Sequence, residues 1–128
     1  MAEFVYKNYS CELKFGEYVF DLPLNEQTAE LMEKAFYKKI TEQKPTNAEE
    51  INRAFDELMD SIDEVLGEGA ADKVMERYKH PGLLEVMGVI KFILDEFNAH
   101  YKEAVEDMKK TAPVAVPTNR EQRRRGAR

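Results

Sequence analysis

The chain has 128 residues, of which 43% are hydrophobic and 34% are charged, and this length suffices for one domain with one modest core. Its single cysteine excludes an internal disulfide framework and a cysteine-based zinc cluster, and it fits a reducing cytoplasmic compartment. The N-terminus lacks the basic start and apolar stretch of a signal peptide, and no window is apolar enough to cross a membrane. We therefore expect a cytoplasmic protein without a membrane partner.

Charge divides the chain into two parts. Residues 1–110 carry 14 basic and 24 acidic side chains, a net charge of −10, whereas residues 111–128 carry five arginines and one glutamate. The second part also contains two prolines and no helical stripe, so it lacks the apolar surface that would offset the entropy cost of ordering. We predict a single helical domain over residues 1–110 and a flexible, disordered basic tail over residues 111–128.

A β-hairpin is predicted near the N-terminus. Residues 10–22 alternate apolar and polar side chains around Gly16 and Glu17, which is the pattern of two short strands joined by a tight turn. The apolar positions are Leu13, Phe15, Tyr18, Phe20 and Leu22. A two-stranded hairpin is marginally stable alone, so we expect it to lie on helices.

Two helices should follow the hairpin. Between Glu26 and Glu42 the apolar spacing changes to three and four, with a stripe formed by Leu31, Met32, Ala35, Phe36 and Ile40. Thr46, followed three residues later by Glu49, predicts a capping box that opens the second helix. The inward positions of that helix are Ile51, Ala54, Phe55, Leu58, Met59, Ile62 and Leu66.

A glycine-rich corner ends the second helix. The stretch from Leu66 to Val74, LGEGAADKV, has its two glycines too close together for a phosphate-binding loop. An EF-hand loop starting at Asp60 would have apolar residues where ligands and glycine are needed. We therefore interpret Gly67 as a left-handed helix stop and Gly69 as a hinge before a short third helix over residues 70–78.

The fourth helix is predicted to be the longest, from about Pro81, which suits a first helical position, to Lys109. Its first half is apolar nearly all round, and a helix of that kind must be central in the core or face a partner. We expect partner contacts at exposed apolar residues of this helix, namely Phe92, Phe97, Tyr101 and Met108. The alternative is that the other helices and the hairpin cover it completely.

Acidic pairs on the first two helices raise the possibility of an enzyme. Glu30 and Glu33, and Glu57 and Asp60, have the EXXE and EXXD spacing with which all-helical nucleotide pyrophosphohydrolases hold magnesium. At about 100° per residue, however, Glu30 and Glu57 lie nearly opposite the apolar stripes and should face solvent rather than a cleft. The two histidines have no consistent acid or cysteine partner, so we predict no catalytic residue, metal or cofactor.

The basic tail offers another possible site. Its arginines could contact phosphate groups, but no aromatic residue is interleaved for base stacking and the acidic domain would repel a nucleic acid. Nucleic acid is therefore a disfavoured partner, although a nucleic-acid or regulatory binder acting through the tail remains an open alternative. The residues concerned are Arg120, Arg123, Arg124, Arg125 and Arg128.

Three segments together resemble the small tail assembly chaperones of long-tailed bacteriophages and prophages of Gram-positive bacteria. They are residues 11–22, residues 61–75 with the glycine corner, and residues 83–101 of the long helix. The resemblance implies a mainly α fold of about four helices with an N-terminal hairpin. It also implies a non-enzymatic protein of the bacterial host cytoplasm that binds the tape-measure protein in multiple copies, or as a homo-oligomer, and keeps it soluble while the tail tube assembles.

Overall fold

A computed structural model describes residues 1–111, with only the backbone described at Thr111. The predicted tail lies outside the described residues. The described chain is mainly helical, with an N-terminal hairpin and a long last helix, so the predicted fold class is confirmed. The elements in chain order are β1 (Ser10–Phe15), β2 (Tyr18–Pro23), α1 (Glu26–Met32), a π-helical turn (Glu33–Tyr37), α2 (Lys38–Glu42), α3 (Ala48–Leu66), α4 (Ala70–Met75) and α5 (Leu83–Thr111).

The hairpin forms as predicted. β1 and β2 pair antiparallel with Leu13 opposite Phe20, and Gly16 in the turn has a φ of 64°, a conformation that glycine adopts without a steric penalty. The ladder extends one step beyond the strands, because the backbone N–H of Leu24 donates to the carbonyl of Tyr9 at 3.0 Å. One face of the hairpin is buried through Cys11, Leu13 and Leu22.

The first predicted helix is continuous but contains an irregular turn. α1, the π-helical turn and α2 follow one another without a break, and Asn25 caps the start by accepting from the backbone N–H of Thr28 at 2.8 Å. In the π-helical turn the N–H of Lys38 donates to the carbonyl of Glu33, five residues back. The turn inserts one residue into the helical stripe and still buries Ala35 and Phe36.

The predicted cap of α3 is wrong by one residue. Asn47, not Thr46, is the N-cap, and its side chain accepts from the backbone N–H of Glu50 at 2.9 Å. Glu50, rather than Glu49, reaches back and accepts from both the backbone N–H and the hydroxyl of Thr46 at 2.9 Å. As in a capping box, the cap side chain accepts from a backbone N–H of the first turn and a glutamate of that turn accepts from a backbone N–H before the helix. The cap residue is the asparagine and not the neighbouring threonine.

The glycine corner turns the chain between α3 and α4. α3 ends at Gly67 as predicted, but Gly67 has φ 117° and ψ 157°, and the left-handed helical conformation is at Gly69, with φ 84° and ψ −4°. A side-chain oxygen of Asp63 accepts from the backbone N–H of Ala71 at 2.8 Å and fastens the end of α3 to the start of α4. α4 ends at Met75, three residues earlier than predicted.

α5 begins two residues later than predicted. Pro81 lies before the helix and is not its first residue, since the carbonyl of Gly82 already accepts from the N–H of Val86 and marks Gly82 as the N-cap position. With 29 residues, α5 is roughly 43 Å long. Its first half is the centre of the core, packed by β1, α3 and α4. The buried residues of this half are Val86, Val89, Ile90, Ile93, Leu94 and Phe97.

No helix within residues 1–111 has the length and apolar character that crossing a bilayer requires.

Candidate functional site

β1 lies along α5 in the antiparallel direction, and this arrangement determines where depressions form between the hairpin and the helix. At one end Phe15 packs edge-on against Phe92, with ring centroids 5.5 Å apart. Further along, the Sγ atom of Cys11 lies 3.5 Å from Nδ1 of His100. Beyond the strand, Tyr9 lies beside the C-terminal half of α5. The hairpin therefore forms one depression near its turn and another near its open end.

The depression at the open end is an apolar groove of about 170 Å³, here called the distal groove. None of its six lining residues is charged, although the surrounding surface of α5 is rich in lysine and glutamate. Val105 is 40% exposed and Met108 is 52% exposed. The lining residues are Tyr9, Leu24, Tyr101, Ala104, Val105 and Met108.

Several contacts hold the walls of the distal groove in place. The backbone hydrogen bond from Leu24 to Tyr9 joins the two residues that come from the hairpin side. The hydroxyl of Tyr101 donates to a carboxylate oxygen of Glu26 at 3.4 Å, and its ring lies 5.8 Å from that of Phe97. The groove is therefore preformed, and an incoming apolar side chain would not have to order these residues.

The four residues predicted to contact a partner do not form one surface. Phe97 is 5% exposed because it points into the core, so the expectation that it is exposed is wrong. Tyr101 and Met108 follow Phe97 on the same stripe, at spacings of four and seven residues, and both line the distal groove. Phe92 lies on another side of α5, against Phe15 in the depression near the hairpin turn.

Tyr9 and Leu24 belong to the distal groove although the sequence did not single them out. A signal was available for Tyr9, because it continues the two-residue alternation of Cys11 and Leu13 on the buried face of β1. Leu24 follows Pro23, which ends β2, and no periodicity marks it. Its position depends on the extra rung of the ladder, which can be recognised only once the hairpin register is known.

The depression near the hairpin turn, here called the turn cleft, has a volume of about 330 Å³ and a mixed lining. Phe92, 41% exposed, and Phe15 provide an aromatic floor. The hydroxyl of Tyr18 donates to a carboxylate oxygen of Glu76 at 3.0 Å, and this bond raises the pKa of the Tyr18 phenol. The charged lining residues are Lys14, Glu17, Lys73, Glu76 and Arg77.

The contact between Cys11 and His100 does not make a reactive thiol. Cys11 is fully buried, and burial, followed by the nearby carboxylate of Glu96, raises the pKa of its thiol. Nδ1 of His100 also lies 2.8 Å from the carbonyl oxygen of Glu96. Because the nucleophilic form of cysteine is the thiolate, a buried thiol with a raised pKa is poorly suited to covalent catalysis.

The acidic pairs that resemble a magnesium site do not line one cleft together: Glu57 lines a shallow depression with Glu42 and Glu50, and the other three residues are not part of it. Glu30, Glu33 and Asp60 are exposed, and a carboxylate oxygen of Glu57 accepts from the side-chain amide of Gln43 at 3.3 Å. Within residues 1–110, no group of three or more histidine, cysteine, aspartate or glutamate side chains is arranged to hold a metal ion. The tail arginines from Arg120 to Arg128 lie outside the described residues.

The chain matches one family model, described as a family of unknown function and designated DUF6673, over residues 14–127. This range includes the last two residues of β1, all of β2, every described helix, and all but the last of the tail arginines. Neither a curated protein nor a solved structure matches the chain at a significant level. Since the family model covers most of its length, the chain belongs to the DUF6673 family.

Proposed function

We propose that the protein is a non-enzymatic tail assembly chaperone of a bacteriophage or prophage, which binds the tape-measure protein and keeps it soluble while the tail tube forms. The observation that carries this proposal is the distal groove. It places an uncharged, partly exposed strip of α5 beside two fixed hairpin residues, Tyr9 and Leu24. The groove supplies apolar contact surface at the end of α5 away from the α3–α4 corner.

The shape of the groove suits a helical partner. Tyr101, Ala104 and Met108 are spaced by three and four residues, so they form a continuous seam along α5. A second helix with an apolar stripe could lay one or two large side chains into the space between this seam and Tyr9, in the helix-in-groove mode of recognition. A tape-measure protein, a very long helical chain with apolar seams, offers many such segments to many copies.

The acidic charge of the domain supports the same role. Residues 1–110 carry a net charge of −10, and none of this charge lines the distal groove. A copy bound through the groove would cover an apolar segment of its partner and present a negatively charged outer surface. Neighbouring complexes would then repel one another, which keeps an aggregation-prone chain dispersed.

Co-expression with the tape-measure protein of the same genome tests the proposal. The wild-type chain should co-purify with the tape-measure protein and raise its soluble fraction. Val105→Lys places a charge in the distal groove and should remove both effects, whereas Leu84→Lys should retain them. Leu84 is a matched control, since it is an apolar residue of the same helix, 78% exposed and outside the groove.

Two results would contradict the proposal. One is a wild-type chain that gives neither a complex nor a gain in the solubility of the tape-measure protein. The other is a Val105→Lys variant that binds as well as the wild type while remaining folded by circular dichroism, because the distal groove would then not be the contact surface.

A further inference from the structure

The turn cleft combines an aromatic floor with a basic rim in a chain that is acidic overall. Its rim carries Lys14, Lys73 and Arg77, and none of these forms an ion pair with a carboxylate of residues 1–110. Lys73 lies over the ring of Tyr18 at 5.7 Å. The Arg77 guanidinium rests against Gly16, where an added Cβ would lie 2.6 Å from its Nε. Lys73 and Arg77 are therefore held near the cleft, and no ion pair within residues 1–110 neutralises their positive charges.

The floor of this cleft is not fully covered by the residues that the structure describes. Phe92 remains 41% exposed, although it packs against Phe15, and Val74 and Val89 continue the apolar lining beneath it. Two carboxylates, Glu17 and Glu76, also line the cleft, and the second is occupied by the hydroxyl of Tyr18. A fitting ligand would therefore combine a large apolar side chain with adjacent negative charge.

α3 has a surface with those properties. Ala48–Leu66 contains seven carboxylates and one arginine, and Ile51 is 41% exposed at its N-terminal end. Phe55 and Met59 follow Ile51 at intervals of four residues and are half-buried, so the three form a ridge. At about 100° per residue, Asp56 lies beside Met59, and Asp60 lies one turn further along the helix on the same side as Asp56; both aspartates are exposed.

We infer that the turn cleft of one copy docks the acidic α3 ridge of a second copy. The ridge supplies apolar side chains for the Phe15 and Phe92 floor, and its aspartates face the cations of the rim. The two surfaces differ, so the contact is heterologous, and it can repeat from copy to copy as a ring or an open row. The inference goes beyond the proposed function, because it uses neither the distal groove nor a tape-measure protein.

Salt dependence separates this contact from self-association through the distal groove. The chain carries a net charge of −6, so copies that meet through an uncharged groove repel one another, and added salt would strengthen their association. When α3 of one copy docks on the turn cleft of another, opposite charges face each other. Added salt screens this attraction and would weaken the association. The sign of the salt effect therefore identifies the surface.

Sedimentation of the full chain at several concentrations and salt levels is the test. Wild-type protein should self-associate at low salt and dissociate as salt is added. The cleft variant, Lys73→Glu with Arg77→Glu, and the ridge variant, Asp56→Lys with Asp60→Lys, should each raise the dissociation constant at least about tenfold, because like charges then face each other. An equimolar mixture of the two variants should associate again, since each then offers the charge that the other lacks.

Matched controls change the same net charge elsewhere. Lys34→Glu with Lys38→Glu controls for the cleft variant, and Glu30→Lys with Glu33→Lys controls for the ridge variant; all four residues are exposed on the first helix. Both controls should associate like the wild type. The inference is overturned by a wild-type chain that stays monomeric at every concentration, by association that strengthens with salt, by controls that dissociate like the test variants, or by folded variants whose mixture stays monomeric.

Discussion

Phe15 at the end of β1 and Phe92 in α5 pack edge to face, with ring centroids 5.5 Å apart and ring planes at 79°. This contact joins the turn end of the hairpin to the long helix, and the contact of Cys11 with His100 joins the strand to the same helix near the open end of the hairpin. Tyr9, which precedes β1, lines the distal groove together with Val105 and Met108 of the same long helix. The distal groove is thus a consequence of how the hairpin is seated.

The first prediction concerns this aromatic pair. Phe92→Ala should lower the free energy of unfolding by about 2 kcal/mol, less than the 3–5 kcal/mol typical of a fully buried phenylalanine, because Phe92 is 41% exposed. Urea unfolding of the two single alanine variants and of the double variant measures the coupling with Phe15. It should be about 0.5–1.5 kcal/mol. Strictly additive effects would mean that the rings do not stabilise each other.

A second prediction concerns the glycine corner. Gly67 has a backbone conformation that is almost confined to glycine, so Gly67→Ala should cost about 1–3 kcal/mol of stability. Gly69 is in the left-handed helical region, where a non-glycine residue costs roughly 1 kcal/mol and asparagine is tolerated better than alanine. Chemical denaturation of Gly67→Ala, Gly69→Ala and Gly69→Asn should rank the three in that order of decreasing loss.

Gly88 provides the control for this series. It lies inside α5, and a Cβ added there would meet nothing within 4 Å. Gly88→Ala should therefore stabilise the protein by about 0.5–1 kcal/mol, through the higher helix propensity of alanine. A loss of stability at Gly88, or an equal change at all three glycines, would contradict the backbone geometry described for the corner.

The third prediction concerns the pH dependence that Glu50 confers. Hydrogen bonds from the backbone N–H and the hydroxyl of Thr46 lower the pKa of the Glu50 carboxyl below its ordinary value of 4.5. A group with a lowered pKa in the folded state stabilises the fold above its unfolded pKa and loses this effect as the pH falls through the folded pKa. The stability difference between wild type and Glu50→Gln should therefore be constant near neutral pH and shrink as the pH falls below about 4.5.

Thermal melts between pH 3 and pH 7 measure this difference. Glu49→Gln removes the same charge from the neighbouring residue, whose carboxylate lies 3.7 Å from Arg53, and serves as the control. If the stability difference between wild type and Glu50→Gln grew as the pH fell, the direction assigned to the pKa shift of Glu50 would be wrong.

The fourth prediction uses the buried thiol as a probe of the hairpin. Cys11 is fully buried and the pKa of its thiol is raised, so a thiol reagent at pH 8 should react with the native protein only as fast as the hairpin opens. Moving the thiol to the exposed neighbouring position, by Ser10→Cys in a Cys11→Ser background, should give rapid labelling. Equal labelling rates would mean that the hairpin is not seated on α5.

Much of the fold could be predicted from periodicity. The hairpin, the helical stripe of Met32 and Phe36, and the end of α3 at Gly67 all follow from patterns that depend on neighbouring residues alone. The exact cap residue of α3 and the irregular turn in the first helix could not be predicted in this way. Asn47 displaced Thr46 as the cap, and the π-helical turn at Glu33–Tyr37 has no sequence signal that distinguishes it from ordinary helix.

The candidate surface was harder to predict than the fold. A helix that is apolar nearly all round gives no information about which side its neighbours cover, and for this reason Phe97 was grouped with Tyr101 and Met108 although it is buried. The contribution of Leu24 depends on a long-range hydrogen bond to Tyr9. Such surfaces follow from the packing of distant segments, and a single sequence contains no periodicity for them.

Hydrogen–deuterium exchange of the chain with and without the tape-measure protein shows directly which surface the partner covers. Amide exchange should slow on binding in two places, the C-terminal half of α5 around Tyr101 to Met108 and the hairpin end around Tyr9 and Leu24. Amides of the exposed face of α1 serve as an internal reference and should not change. Protection confined to other segments, or no change anywhere in a complex that demonstrably forms, would contradict the assignment of the distal groove as the binding surface.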